Sequence, residues 1–405
     1  MKKIIIIFFV LASIFSLCAC EKGQSANTVN KHEHEYENGI CKICGFMCSH
    51  STIINDECSE CHMIFNTKCK HQFSEGKCVR CGFVCNHEGC SCGDTCSVCN
   101  FHLEHQYEGG ICTVCGKQRS LEASKIPDQF LTKVANKGTV EKVVFESYDY
   151  INSRPFENTF FVYLPYGYYD SDEEYNVMYL LHGSGENAAY WLAQLSYQGG
   201  YTETTKVVLD SLHYYGVCEK TIVVTPTENL NGTKKFYEEL VKNIMPLAET
   251  KYRTKAHLYG KEVIEVKEED FIASRDYRAY AGLSRGSMIG WSIMAYDLPY
   301  FSYYGFYSGG TYGLDYLYTD LVNTLTDKNN NYDIKYSYNS CGDKDAMYSN
   351  HYNDYNYFIR YSKGKLVDDE NCIFLVKPGF AHNYQSWIID LYNSLGYCFF
   401  KYNGE

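Results

Sequence analysis

Ser284 stands in Gly282-Leu283-Ser284-Arg285-Gly286, a G-x-S-x-G pattern that can lift a serine hydroxyl off the end of a β-strand as a nucleophile. Its flanks suit that role. Arg278-Ala279-Tyr280-Ala281 is a short, mostly apolar run fit for a buried strand, and Ser287 to Ala295 reads as a helix. A hydroxyl is a weak nucleophile at neutral pH, so it needs a base to take its proton and an acid to orient that base. On a strand-turn-helix elbow these partners follow in the order acid, then histidine, each on a loop after a strand. Ile334 to Ser340 reads as a strand and runs into Cys341-Gly342-Asp343-Lys344-Asp345, so Asp343 and Asp345 are both candidate acids. Cys372-Ile373-Phe374-Leu375-Val376 breaks at Pro378-Gly379, and His382 follows as the expected base. After Ser284 the one other histidine is His351, in a polar Tyr/Asn/Asp stretch that suggests a solvated side chain.

The negative charge that ester cleavage places on the carbonyl oxygen calls for backbone NH groups aimed at it. One expected donor is the NH of Arg285. The second is the NH of Ser184, in the glycine-flexed loop His182-Gly183-Ser184-Gly185 that ends the apolar run Val177 to Leu181. Tyr190 and Trp191, just beyond, are candidates to flank an acyl group or a sugar, with core packing as the alternative.

These segments resemble the feruloyl esterase and acetyl xylan esterase type of α/β-hydrolase, the esterase D-like family that includes carbohydrate esterase family 1. The likeness is carried by Phe161-Val162-Tyr163-Leu164-Pro165 with Tyr168; Asn176 to Gly185; Ile222 to Pro226; Phe236 to Leu240 with Pro246; Ser274 to Arg278; the elbow; and Gly379-Phe380-Ala381-His382. It spans roughly residue 136 to the C-terminus. The resemblance implies that the acid is Asp345, the aspartate of a strand-ending C/S-G-x-x-D pattern. It also implies a feruloyl or acetyl esterase acting on plant-wall polysaccharide with no catalytic cofactor. The chain departs from the family at Arg285, where methionine is usual, and at Asn383, where aspartate or serine is.

The elements that must position these residues alternate apolar strands with amphipathic stretches. Lys235 to Lys251, for example, carries Phe236, Leu240, Val241, Ile244 and Leu247 at helical spacing. The predicted fold class is therefore α/β: an α/β-hydrolase domain over 138–405 with a mostly parallel sheet, preceded by small Cys/His-rich metal-ribbon repeats over 32–116 and a linker over 117–137. Formal net charge is −12, or −14 once Lys2 and Lys3 are removed, which disfavours nucleic acid as a partner.

Residues 1–20 read as a lipoprotein signal peptide. Lys2-Lys3 form the charged end, Ile4 to Phe15 an apolar run too short for a membrane span, and Leu17-Cys18-Ala19-Cys20 a lipobox-like ending with Cys20 as the lipidated residue. The expected product is a cell-surface lipoprotein held to the membrane by lipid, or a secreted protein, with residues 21–31 as a flexible tether.

Fifteen of the 21 cysteines lie between Cys41 and Cys115, in a repeat with five CxxC pairs. Cys41/Cys44 follows His32 and His34; Cys58/Cys61 follows Cys48 and His50; Cys78/Cys81 follows Cys69 and His71; Cys96/Cys99 follows Cys85 and His87; Cys112/Cys115 follows His102 and His105. Each set offers four soft or borderline ligands, as a tetrahedral structural zinc requires, and the paired histidines have no role in a disulfide scaffold. Grouping each CxxC with the ligands that follow it strands His32, His34, Cys112 and Cys115. A disulfide framework is the alternative, and Cys90 and Cys92 fall outside every set. Two further functions compete with the plant-wall reading: hydrolysis of another acyl substrate, such as a siderophore ester or an S-acyl thiol, and a surface-binding protein with a non-catalytic hydrolase scaffold.

Overall fold

The computed structural model describes residues 121–193 and 202–400, together with short segments between 35 and 112. Its main element is an eight-stranded sheet. The strands are β1 (Thr139–Asp149), β2 (Arg154–Leu164), β3 (Asn176–Leu181), β4 (Thr221–Pro226), β5 (Arg278–Leu283), β6 (Tyr303–Tyr307), β7 (Tyr336–Gly342) and β8 (Cys372–Lys377). Their spatial order is β8-β7-β6-β5-β3-β4-β2-β1. β1, β2 and β4 pair antiparallel, and every neighbour from β4 to β8 is parallel.

Strand side chains alternate between two apolar layers, as a sheet covered on both faces requires. Val177, Tyr179 and Leu181 point into one core with Ile222 and Val224, while Met178 and Leu180 point into the other with Val223. The first layer is closed by α3 (Gly232–Glu239), α4 (Met245–Lys251), α5 (Glu268–Ala273), α6 (Arg285–Tyr296), α7 (Tyr316–Thr326) and α8 (Tyr348–Tyr361). The second is closed by α1 (Ala189–Leu192), α2 (Thr202–Tyr214) and α9 (Tyr384–Asn393). The single helix expected over Lys235 to Lys251 is continuous but contains a π-turn at Leu240–Ile244.

The expected linker is corrected in part. Residues from 121 onward are packed into the domain: Ile126 and Phe130 are buried, and the Asn393 side chain clamps the backbone of Glu122 at both its NH (2.9 Å) and its carbonyl (2.8 Å). Val134 is buried as well, and each such buried apolar side chain contributes about 1.5–3 kcal/mol to docking the segment.

Among the described residues of the Cys-rich region are four two-stranded antiparallel hairpins: Tyr36–Glu37 with Ile40–Cys41, Ile53–Ile54 with Glu57–Cys58, Phe73–Ser74 with Lys77–Cys78, and Tyr107–Glu108 with Ile111–Cys112. Each ends on the first cysteine of a CxxC pair. Each opposes that cysteine to an aromatic residue or isoleucine five positions earlier.

The second cysteines of the five pairs, Cys44, Cys61, Cys81, Cys99 and Cys115, lie outside the described residues. So do Cys96, two of the three C-x-H cysteines, Cys48 and Cys69, all three C-x-H histidines, His50, His71 and His87, the paired histidines His32, His34, His102 and His105, and Cys20, Cys90 and Cys92. None of the five expected four-ligand sets is therefore described whole. Among the described residues no group of three or more His, Cys, Asp or Glu side chains is placed to hold a metal ion. No described helix is long and apolar enough to cross a membrane.

Candidate active site

The loops after the parallel strands gather along one edge of the sheet, where open α/β sheets place their ligands. Ser284 leaves β5 there and caps α6 with φ 51° and ψ −115°, the left-handed backbone of a sharp elbow. Both flanking glycines are forced by close approach. A Cβ on Gly282 would lie 2.5 Å from the Gly286 carbonyl carbon, and one on Gly286 would lie 2.6 Å from the His182 carbonyl oxygen.

His382 enters from the loop between β8 and α9, and its Nε2 lies 2.9 Å from Ser284 Oγ. Its Nδ1 lies 2.9 and 3.0 Å from the two carboxylate oxygens of Asp345, which only accept, so Nδ1 carries the proton and Nε2 is free to receive the serine's. Asp345 is buried, and its Oδ1 also accepts the Met347 NH at 2.8 Å. Burial pushes its pKa upward, but hydrogen bonds from His382 and Met347 and the nearby imidazole charge outweigh that and hold it below the ordinary value. Asp343, the other sequence candidate, is turned away: its Oδ1 accepts the Gly379 NH at 2.7 Å and shapes the histidine loop.

The oxyanion loop follows β3. A Cβ on Gly183 would sit 3.4 Å from Ser284 Cβ, so this loop faces the nucleophile directly. Arg285 is the first residue of α6, where helix geometry leaves the NH without an intrahelical acceptor. The Arg285 NH thus lies directly beside the serine, and Ser184, the expected second donor, belongs to the loop that faces it.

Three residues stand differently from expectation. Tyr190 and Trp191 are not open to flank a substrate: both are buried in the second core, Trp191 Nε1 donates to the Leu181 carbonyl at 3.3 Å, and Tyr190 reaches the site only through its hydroxyl, which contacts Glu186. His351 is not solvated but fully buried, 3.3 Å from both the Gly309 NH and Asn339 Oδ1. It belongs to an inward stripe of α8 with Asp354, Tyr355 and Phe358, an i, i+3, i+4, i+7 spacing that the polar composition of the stretch conceals.

Glu186 is the residue that sequence reasoning missed. Its Oε2 accepts the Gly183 NH at 2.8 Å beside the catalytic imidazole. Burial pushes its pKa up to about 7, against the opposing pull of the Gly183 NH, the His382 charge and the Tyr190 hydroxyl. A raised carboxyl pKa means the folded state holds the proton more tightly than the unfolded chain, so its contribution is present below about pH 4.5 and lost as pH rises through about 7. Glu186→Gln keeps an acceptor for Gly183 but cannot ionise. Its Tm relative to wild type is expected to be higher at pH 8 than at pH 5, and an equal difference at both would show that the carboxyl does not titrate in this window.

A serine, an imidazole and a buried carboxylate in one hydrogen-bonded line at a strained elbow are the parts needed for acyl transfer. Residues 152–308 match the family model described as "Putative esterase". The segment holds the elbow and the oxyanion loop.

Among curated proteins, the chain is similar to an endo-1,4-beta-xylanase Y from Acetivibrio thermocellus, 30% identical over 294 residues, covering 67% of this chain and 24% of the relative. It is also 28% identical over 269 residues to an endo-1,4-beta-xylanase/feruloyl esterase from Xylanibacter ruminicola, covering 63% of this chain and 30% of the relative. The chain therefore spans under a third of the length of these relatives. Among solved structures, a serine-to-alanine mutant of the feruloyl esterase module from Clostridium thermocellum, complexed with sinapinate, matches with a TM-score of 0.57 at 25% identity, over 71% of this chain and 99% of that one. A ferulic acid esterase from Anaeromyces mucronatus, at 18% identity and a TM-score of 0.51 over 71% of this chain and all of that one, shares the fold.

Proposed function

We propose that this chain is a serine esterase that removes feruloyl or acetyl groups from plant-wall polysaccharide. The observation that carries the reaction class is the unbroken line from Ser284 Oγ through His382 to Asp345 at a strained elbow. Ser284 attacks the ester carbonyl as His382 Nε2 takes its proton. The NH groups of Ser184 and Arg285 hold the oxyanion, and Asp345 stabilises the imidazolium. His382 returns the proton to the leaving alcohol, and water, activated by the same imidazole, releases the acid. The plant-wall substrate is supported by the named activities of the curated relatives and by the sinapinate-bound structural neighbour.

In this proposal the mature chain is held at the cell surface by lipid on Cys20, and the CxxC repeats bind structural zinc. The support for zinc is the ligand spacing together with four hairpins that each deliver the first cysteine of a pair. Closed four-ligand sites leave no position for catalysis, so the repeats serve as an arm.

The test is hydrolysis of methyl ferulate and of acetylated xylan, side by side, by residues 21–405. Release of ferulate establishes a feruloyl esterase, acetate alone moves the assignment to deacetylation, and turnover of neither defeats the plant-wall reading. Metal analysis of the same preparation tests the arm: bound zinc is expected, whereas metal-free protein with no reactive thiols in the repeats means disulfides.

A further inference from the structure

Gly183 has both of its peptide groups held. Its NH goes to Glu186, and its carbonyl lies 2.8 Å from His182 Nδ1. A carbonyl only accepts, so Nδ1 carries the proton. The other ring nitrogen, Nε2, lies 3.1 Å from the backbone NH of Glu228, which only donates, so Nε2 is the acceptor. Two separate contacts thus demand the same neutral tautomer. Burial keeps the ring neutral, pushing its pKa down to about 4, with the Gly183 carbonyl opposing and the Arg285 charge adding to the shift.

Glu228 is itself gripped. Arg285 Nη2 donates to its Oε1 at 3.0 Å, and Arg285 Nε lies 3.0 Å from Oε2, with the carboxylate side chain 8% exposed. A continuous set of contacts therefore runs from the Arg285 side chain through Glu228 and His182 to the Gly183 carbonyl. In a trans peptide the C=O and the following N–H point in opposite directions, so holding the Gly183 carbonyl sets the direction of the Ser184 NH.

We infer that the Arg285 side chain, Glu228 and His182 act as positioning residues that aim the Ser184 NH, bracing the two oxyanion donors as one unit. Arg285 supplies one donor from its backbone and steadies the other with its side chain. Methionine, the residue usual at this position in the family the sequence resembles, has no charge to do so. The inference rests on the esterase reading above and says how that site is held in shape.

Removing an oxyanion donor outright costs about 10²- to 10³-fold in kcat, so loosening one is expected to cost less. Arg285→Met is expected to lower kcat on an aryl ester about tenfold with KM within about twofold of wild type, and to weaken an arylboronic acid, which forms a tetrahedral adduct on the serine, in step. His182→Ala is expected to cost about a hundredfold, and the double variant no more than His182→Ala alone, because both act on one peptide. Arg285→Lys, which keeps the charge, is expected to recover part of the loss. An Arg285→Met enzyme with wild-type kcat, or a double variant whose losses multiply, overturns the inference.

A readout independent of turnover keeps the two readings apart. The His182 Nδ1 proton is expected to exchange slowly with solvent in ¹⁵N-resolved spectra, and about tenfold faster in Arg285→Met. Unchanged exchange overturns the brace. A wild-type chain with no ester turnover defeats the esterase reading, and the exchange measurement then decides the brace by itself.

Discussion

Ser284→Ala is expected to lower kcat on an aryl ester by roughly 10⁴- to 10⁶-fold while leaving KM within a few-fold. The substitution removes the nucleophile but neither the oxyanion donors nor the elbow, because alanine fits the same strained turn without a larger side chain. The residual rate measures what the two NH groups and binding achieve alone. Asp345→Asn is expected to cost about 10⁴-fold, since an amide replaces one accepting oxygen with an NH2 that donates and so favours the wrong imidazole tautomer. Asp343→Asn separates the two aspartates, because its carboxylate contacts the Gly379 NH and not His382, and a loss of no more than a few-fold is expected. Steady-state kinetics on the purified variants check all three, and an Asp343 variant as impaired as the Asp345 variant would reverse the assignment of the acid.

The catalytic line is legible in the sequence because each member sits where a strand must end. The serine pattern lies between an apolar run and a helix, and the acid and histidine lie after two further apolar runs, so topology delivers all three to one edge of the sheet. What spacing does not show is anything made across neighbouring loops. Glu228 follows β4, Arg285 follows β5, and 57 residues separate them, yet β4 and β5 both flank β3 and their loops meet. In the sequence His182 is part of a glycine-flexed turn, and its role emerges only when both ring nitrogens are given partners. Composition misleads twice. His351 is concealed by tyrosines and asparagines that cover the outer face of α8. Tyr190 and Trp191 lie next to the oxyanion loop in sequence, but a four-residue helix turns them into the core.

A buried charge under the elbow is equally hidden, since Arg278 reads as the start of a mostly apolar strand. Its guanidinium is 1% exposed and makes a two-pronged contact with Glu249, Nε to Oε1 and Nη2 to Oε2, both at 2.8 Å. Its remaining donors reach the Phe271 carbonyl (3.0 Å), the Tyr300 carbonyl (2.8 Å) and Ser274 Oγ (2.8 Å), and Tyr179 donates to Glu249 from β3. Full satisfaction of this kind offsets the desolvation of both charges, so the pair as a whole is worth little against an apolar pair of the same volume. Breaking it is different. Arg278→Met leaves Glu249 charged or forces it to take a proton in a site with no exposure, and strands two backbone carbonyls. The expected cost is about 3–5 kcal/mol in urea unfolding, among the largest for any single substitution in this domain. Arg278→Met with Glu249→Leu is expected to recover most of that loss, because no uncompensated charge remains. Since β5 leads straight into Ser284, the single variant should also lose activity at temperatures well below its own midpoint, as the elbow loosens before the domain unfolds. A single variant that costs less than about 1 kcal/mol would mean that water or a neighbouring group reaches Glu249 and that the strand beneath the nucleophile does not depend on this pair.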